Sequence, residues 1–420
     1  MVRSHSRKKF GQRNGIASTV IVAVVVVIIV IIAAGAFIAL SPGKTVTSVV
    51  TTGTTAVVTS GVTSIVSTTV SASGASNCGA ATETLNGAGG TLVFPLMSAW
   101  TFAYPQVCPN VHVNYASVGS GAGIAQITAR TVDFGESDAP LSVTQYSGIK
   151  NGTLMTIPVS ASAVVPAYNI PGVPTGLNFT GAVLANIFLG NITVWNDPAI
   201  VALNPKANLT SHAITVVHRS DGSGTMYAFT NYLSDASSVW KTKVGKATSV
   251  NWPVGVGCKG NEGVAGCVSN TPYSIGPLEI AYEIVNKNLI SYGAVRNAAG
   301  NNILANINDT QAAIQAGGTS GLPPGYAHWT SVSIIDSIFN NTQATTAYPI
   351  TTFTYGLVYQ QQTDQAKGTA LVGFFWWVVN SGQAAGSSIG YVPLPSNVVT
   401  LDDATLNNIT YNGTPLHTGM

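Results

Sequence analysis

Hydrophobic and polar positions divide the chain into three stretches with different rhythms. Residues 16–40 form an unbroken uncharged run dominated by Val, Ile and Ala. At about 1.5 Å of rise per helical residue the run reaches roughly 37 Å, enough to cross a bilayer. It is longer than the ~7–15-residue apolar core of a secretory signal, so a transmembrane anchor is expected there. Residues 41–77 are almost entirely Ser, Thr, Val, Gly and Ala, with no charge after Lys44 and no aromatic residue. Without large apolar side chains to offset ordering entropy, this low-complexity stretch is expected to be an extended stalk. From Cys78 onward, strand-like runs alternate with helical patterns. The pattern predicts strands over 111–115, 215–217 and 350–359, followed by helices over 124–130, 225–233 and 369–380. Such alternation predicts an α/β fold with mainly parallel sheets.

Composition changes this picture in two ways. Charged residues make up only 8% of the chain, against roughly 25% in an ordinary soluble protein. Gly, Ser, Thr and Asn take their place, so the surface is polar but uncharged. Glycans would solvate it, and N-x-S/T sites stand at Asn151, Asn178, Asn191, Asn208, Asn308, Asn340, Asn408 and Asn412. The net charge of +2 is also misleading, because Arg3, Arg7, Lys8, Lys9 and Arg13 precede residue 15 with no acid among them. Without them 12 basic and 15 acidic residues remain, which excludes a basic nucleic-acid binder. The basic residues 1–15 are expected to stay in the cytoplasm as a leader, placing everything after residue 40 outside. Gly15-Ile16 also fits a pilin-type processing site, and no cysteine follows the run closely enough for a lipoprotein anchor.

The four cysteines are Cys78, Cys108, Cys258 and Cys267. Their spacing is not C-x-x-C, which speaks against zinc and thioredoxin-like chemistry. Outside the cell the expectation is two disulfides, Cys78 with Cys108 and Cys258 with Cys267.

Three segments share one design: a strand, then small residues and hydroxyls, then a helix. They are Gly87-Ala88-Gly89-Gly90-Thr91-Leu92, Gly119-Ser120-Gly121-Ala122-Gly123 and Arg219-Ser220-Asp221-Gly222-Ser223-Gly224-Thr225. Each would present free backbone N–H groups at the positive end of a helix dipole, which is an anion site. Gly-Ser stretches also make ordinary turns and caps. Three in one chain, one of them carrying an Arg, point to anion binding.

Here the sequence resembles a known family. The stretch from Val113-Asn114-Tyr115 through Thr131-Val132-Asp133-Phe134-Gly135-Glu136-Ser137-Asp138-Ala139-Pro140-Leu141 is similar to the phosphate-binding proteins of phosphate ABC transporters. So are Val217-His218-Arg219-Ser220-Asp221-Gly222-Ser223-Gly224-Thr225, Trp252-Pro253-Val254-Gly255, Lys259-Gly260-Asn261-Glu262-Gly263 and Tyr348-Pro349-Ile350-Thr351. The resemblance runs from about residue 84 to the C-terminus. It implies an α/β, two-lobed clamshell of the periplasmic-binding-protein type, with lobe one from 78–160 and 350–420 and lobe two from 161–349. It implies inorganic phosphate as ligand, an ABC permease as partner, a monomeric body, and no enzymatic activity, cofactor or metal. The implied contacts are Thr91, Leu92, Ser120, Asp138, Arg219, Ser223, Gly224 and Thr225. Leu92 departs from the Phe common in the family, but only its backbone N–H is asked for.

Charge assigns the roles. Arg219 supplies a planar fork of donors for phosphate oxygens, with Asp221 expected to pair with it. Asp138 would repel an anion unless that anion carries a proton. Monobasic and dibasic phosphate both do, and Asp138 can accept it. Fully ionised sulfate cannot satisfy Asp138, and an unmet buried acceptor costs roughly 1–3 kcal/mol, more when charged. Arsenate carries the same proton and is not excluded by this argument.

Other motifs fail on context. Gly135-Glu136-Ser137-Asp138-Ala139 resembles a nucleophile elbow, but Pro140 follows and no His has a motif context. Gly255, Gly257 and Gly260 fit G-x-G-x-x-G without a suitably placed acid about 20 residues on. Gly43-Lys44-Thr45 mimics a P-loop end, with Ile38 at the first Gly position. His218 is expected on the strand face opposite Arg219, and Trp376 and Trp377 in a helix core. Two other classes of reading stand beside this one: a binding protein for another oxyanion, such as sulfate, molybdate or arsenate, and a surface-layer or pilus-like structural protein that kept the fold and lost the ligand.

Overall fold

The computed structural model describes residues 78–319 and 321–417. The expected leader, membrane run and stalk (1–15, 16–40 and 41–77) lie outside the described residues. In chain order the main elements begin with β1 (Glu83–Gly89), α1 (Phe94–Val107), β2 (Val111–Ser117), α2 (Ser120–Thr128), β3 (Phe134–Ser137) and β4 (Leu154–Asn169). Next come β5 (Thr215–Arg219), α3 (Gly224–Ala236), β6 (Val256–Cys258), α4 (Gly260–Asn270), β7 (Ser274–Glu279), α5 (Ile280–Asn286) and β8 (Ser291–Tyr292). The last are β9 (Thr351–Tyr359), α6 (Gln365–Val379) and α7 (Ser396–Leu406).

Among the described residues these nine strands form one sheet in the order β2-β1-β3-β9-β4-β7-β5-β6, with β8 also on β4, and short strands elsewhere form two small three-stranded sheets. β4 joins two half-sheets. Its residues from Leu154 to Ala163 pair with β9, and those from Val164 to Asn169 pair with β7. All but the last of its sixteen residues are buried, and a near-continuous apolar run is what burial on both faces demands. The strands flanking the centre are parallel, as the alternating pattern predicts: β1 with β2 and β3, and β5 with β6 and β7. The central β4 and β9 are antiparallel to each other and to their neighbours, which corrects the expectation of mainly parallel pairing. The chain crosses out of the first half along β4 and returns toward it along β9. Two crossings in opposite directions pair antiparallel.

Helices cover both faces of the first half-sheet. On one face, Gly356 of β9 lies under Phe375 of α6, where an added Cβ would come within 2.2 Å of the ring. Phe134 of β3 packs against Phe374 and Phe375 at ring-centroid distances of 5.9 and 5.4 Å. Trp377 is buried in the same helix, while the half-buried Trp376 stacks on His417. On the other face α2 sits close to the strands because Gly123 has no side chain. A Cβ there would lie 2.4 Å from Gly89 Cα. This places the N-terminus of α2 directly over the end of β1.

The two disulfides are Cys78–Cys108 and Cys258–Cys267. One ties the chain before β1 to the end of α1. The other ties the end of β6 to α4.

Candidate functional site

Each half-sheet ends its parallel strands in short turns that lead straight into helices. The turns after β1, β2, β5 and β6 start α1, α2, α3 and α4, and they meet at one place. Three of these helices have no side-chain cap: Val93, Gly119 and Lys259 precede them without capping. At α3, Ser223 caps by accepting from Met226 N at 3.2 Å. Four helix N-termini facing one point give a strongly electropositive backbone environment.

Thr91, from the first turn, stands at the centre. Its hydroxyl accepts from Arg219 Nη1 at 2.9 Å, Asn261 Nδ2 at 2.9 Å and Asn261 N at 3.1 Å. Asn261 Nδ2 also donates to Thr225 Oγ1 at 3.0 Å. Ser120 is fully used. Its hydroxyl donates to Asp138 Oδ2 at 3.2 Å and accepts from Asp138 N at 3.2 Å and Gly224 N at 3.1 Å. The turns touch through backbone as well, with Gly121 N donating to Gly222 O at 3.1 Å. Thr91, Ser120, Asp138, Arg219, Ser223, Gly224 and Thr225 are thus brought together, and Leu92 follows Thr91 in the same turn.

The charged groups are arranged asymmetrically. Arg219 is 3% exposed. It donates Nε to Asp221 Oδ1 at 2.7 Å and Nη2 to Asp221 Oδ2 at 2.5 Å, leaving Nη1 turned toward Thr91. Burial pushes the Asp221 carboxyl up, but the Arg219 guanidinium outweighs it and holds the group below the usual carboxylate range. Gly119 has φ +89°, and a Cβ there would come 2.5 Å from Asp221 Oδ2, so both backbone and contact require glycine.

Asp138 is 1% exposed and has no ion-pair partner among the described residues. Thr354 donates to its Oδ1 at 2.8 Å. Burial pushes its carboxyl up to about 6, against the pull of the Thr354 and Ser120 hydroxyls and the charge of Arg219. Gly90 and Gly224 hold the space around it, since a Cβ on either would come within 2.9 and 2.5 Å of Asp138 atoms. Glu136, two residues earlier, is fully buried, and its two carboxyl oxygens have no hydrogen-bond partner among the described residues. Burial, then the neighbouring Asp138 charge, drives its carboxyl well above the usual range.

The decoys resolve by contact. Ser137, the serine of the apparent elbow, donates to Ala139 O at 2.6 Å rather than to a base. His218 stacks on Trp252 with ring centroids 4.8 Å apart, away from the groups Arg219 reaches.

Sequence reasoning had not placed Asn261, Thr354, Tyr282, Tyr391 or Glu279 at this site. For Asn261 a cue exists: it follows Gly260, which has φ +73°, at a strand–glycine–helix turn like the other three. Tyr282 Oη donates toward Thr91 O at 2.7 Å and toward Glu262 Oε1 at 3.0 Å. Tyr391 Oη donates to Leu92 O at 2.5 Å.

A sheet in two halves with a charged site between their strand ends is the architecture of a solute receptor, and residues 50–381 match the PBP superfamily domain. The chain is 42% identical over 316 residues to the phosphate-binding protein PstS of Xylella fastidiosa, covering 75% of this chain and 82% of that one. It is 39% identical over 318 residues to the PstS of Pasteurella multocida, covering 76% and 88%. The chain belongs to the PstS family of phosphate-binding proteins. The solved structure of an ancestral soluble variant of the human phosphate-binding protein is similar in fold, with a TM-score of 0.60 at 21% identity, over 79% of this chain and 99% of that one. The fold is therefore the two-lobed α/β clamshell.

Proposed function

We propose that this chain captures inorganic phosphate outside the cytoplasm, between its two lobes, and delivers it to an ABC importer. The observation that carries the reading is Asp138: a buried carboxylate with no cation partner among the described residues, set among helix N-termini and across from Arg219. Such a group suits an oxyanion that brings its own proton. Arg219 Nη1, the Thr91 hydroxyl, the Leu92 N–H and the Ser223 and Thr225 groups at the start of α3 would hold the remaining oxygens. The Ser120 hydroxyl and the Gly224 N–H, which bond each other in this structure, would have to exchange that bond for one to the ligand.

Lobe one comprises 78–160 and 350–420, and lobe two 161–349. The change of β4 partner between Ala163 and Val164 supports this division. Phosphate then bridges the lobes and stabilises the closed form by its differential affinity for it. Residues 16–40 anchor the receptor beside its permease, with 1–15 inside and 41–77 as a tether that raises local concentration. Of the eight glycan acceptors, all but Asn178 present exposed side chains. Asn178 is half-buried, with its amide on Leu203 O at 3.2 Å. The body acts as a monomer.

The test is calorimetric titration of the full-length protein with phosphate and, separately, with sulfate. Saturable heat from phosphate alone is the expected result. A folded protein that gives no heat with phosphate would sink the reading and favour a structural role.

A further inference from the structure

Two tyrosines hold consecutive carbonyls of the Thr91–Leu92 turn. Tyr282 reaches Thr91 O and Tyr391 reaches Leu92 O. A trans peptide sets its N–H opposite its C=O. Fixing these two carbonyls therefore fixes the directions of the Leu92 and Val93 N–H groups. A phenol has one proton to give, so what Tyr391 does with that proton decides how firmly the turn is held.

Tyr391 has a second neighbour. Glu279 Oε2 lies 3.4 Å from its hydroxyl, and Ser162 donates to Glu279 Oε1 at 2.5 Å. Glu279 is fully buried at the end of β7, opposite Val164, where β4 passes from one half-sheet to the other. With Glu279 neutral, every group in the chain is satisfied. Ser162 donates to Oε1, the carboxyl O–H donates to Tyr391, and Tyr391 donates to Leu92 O. With Glu279 ionised, Tyr391 is drawn to the carboxylate and Leu92 O loses its donor.

We propose that neutral Glu279 is a positioning residue for the phosphate turn, freeing the Tyr391 proton for the Leu92 carbonyl, and that ionisation of Glu279 loosens the turn. The proposal rests on the phosphate reading above. Burial pushes the Glu279 carboxyl up to about 8, against the pull of the Ser162 hydroxyl, the Ala281 N–H and the Tyr391 hydroxyl, with the Asp138 charge raising it further. The titratable groups facing Glu279 are Asp138 beyond β3, Tyr282 on α5 and Tyr391 before α7. Burial holds both tyrosines well above their ordinary value, so they stay neutral across this range.

The experiment titrates the full-length protein with inorganic phosphate from pH 6 to 9.5 as wild type, Glu279→Gln and Tyr391→Phe. Glutamine reproduces the neutral pattern, with its amide N–H toward Tyr391 and its oxygen toward Ser162, and does not ionise. The phosphate's own titration is common to all three proteins and cancels in the ratios. The wild-type Kd is expected to rise relative to that of Glu279→Gln by about fivefold above pH 8, the effect of one neutral hydrogen bond. Tyr391→Phe should bind more weakly already at pH 7 and lack that alkaline limb. Parallel profiles for wild type and Glu279→Gln, or an undiminished alkaline limb in Tyr391→Phe, would overturn this inference alone. A wild type that binds no phosphate at any pH would overturn the phosphate reading with it.

Discussion

The half of the sheet built on β1, β2 and β3 and the half built on β5, β6 and β7 reach the site by the same route: parallel strand, glycine turn, helix N-terminus. They differ in what they do with charge. The second half brings a cation and nearly neutralises it, because Asp221 takes two of the three nitrogens of Arg219 and its carboxyl is held low. The first half brings an acid and leaves it without a cation, so the Asp138 carboxyl is pushed up to about 6. On the proposed reading, affinity and selectivity are thereby separated: the oriented guanidinium would attract any oxyanion, and the buried carboxylate would admit one that carries a proton.

The largest effect should come from breaking the cationic half. Arg219→Ala leaves Asp221 without its partner and should weaken phosphate binding by about a hundredfold or more in calorimetry. Asp138→Asn tests the other half. It should lower the preference for phosphate over sulfate by about tenfold or more, read as the ratio of the two Kd values. A mutant that keeps full preference would place selectivity elsewhere.

The same carboxyl gives a pH dependence of defined sign. Its folded-state value lies above the ordinary one, so it takes up a proton as the pH falls through about 6 and can no longer accept from phosphate. Wild-type affinity relative to Asp138→Asn should decline by up to about tenfold for each pH unit below that. The smallest effect sharpens the comparison through the disulfides, one in each half. Cys258 and Cys267 bracket Gly260 and Asn261, so replacing both with Ser should loosen the start of α4 and raise the phosphate Kd by about threefold, within the range of a partly lost hydrogen bond. Replacing Cys78 and Cys108 should lower the unfolding free energy by about 3–4 kcal/mol and leave phosphate binding in titration unchanged.

The clustered side chains divide into those legible in the chain and those that were not. Thr91, Ser120, Arg219 and Ser223 were readable because each sits in a glycine-hydroxyl turn whose chemistry is local. Asp138 was readable only through its motif, since nothing in its immediate pattern distinguishes it from a surface acid. Asn261 and Thr354 were not placed at the site. Asn261 meets Thr91 across 170 positions, and Thr354 meets Asp138 across 216. A single amide or hydroxyl carries no periodicity, so its role becomes visible only when the strands bring it to its partner. The same holds for Tyr282, Tyr391 and Glu279. The last ends a fully buried strand, where an acid in the chain gives no hint of its protonation state.

By itself, the sequence determined the alternation of strand and helix, the four cysteines and the turn chemistry that favours an anion. These are local consequences of backbone freedom, side-chain type and spacing. Only the tertiary structure decided that β4 and β9 pair antiparallel at the centre, that Arg219 turns its remaining Nη1 to the distant Thr91 hydroxyl, and that Asp138 and Glu279 are buried deeply enough to hold their protons above the ordinary carboxylate range. Strand pairing between distant segments, hydrogen-bond competition and desolvation depend on which atoms end up adjacent, and that adjacency is a property of the packed fold.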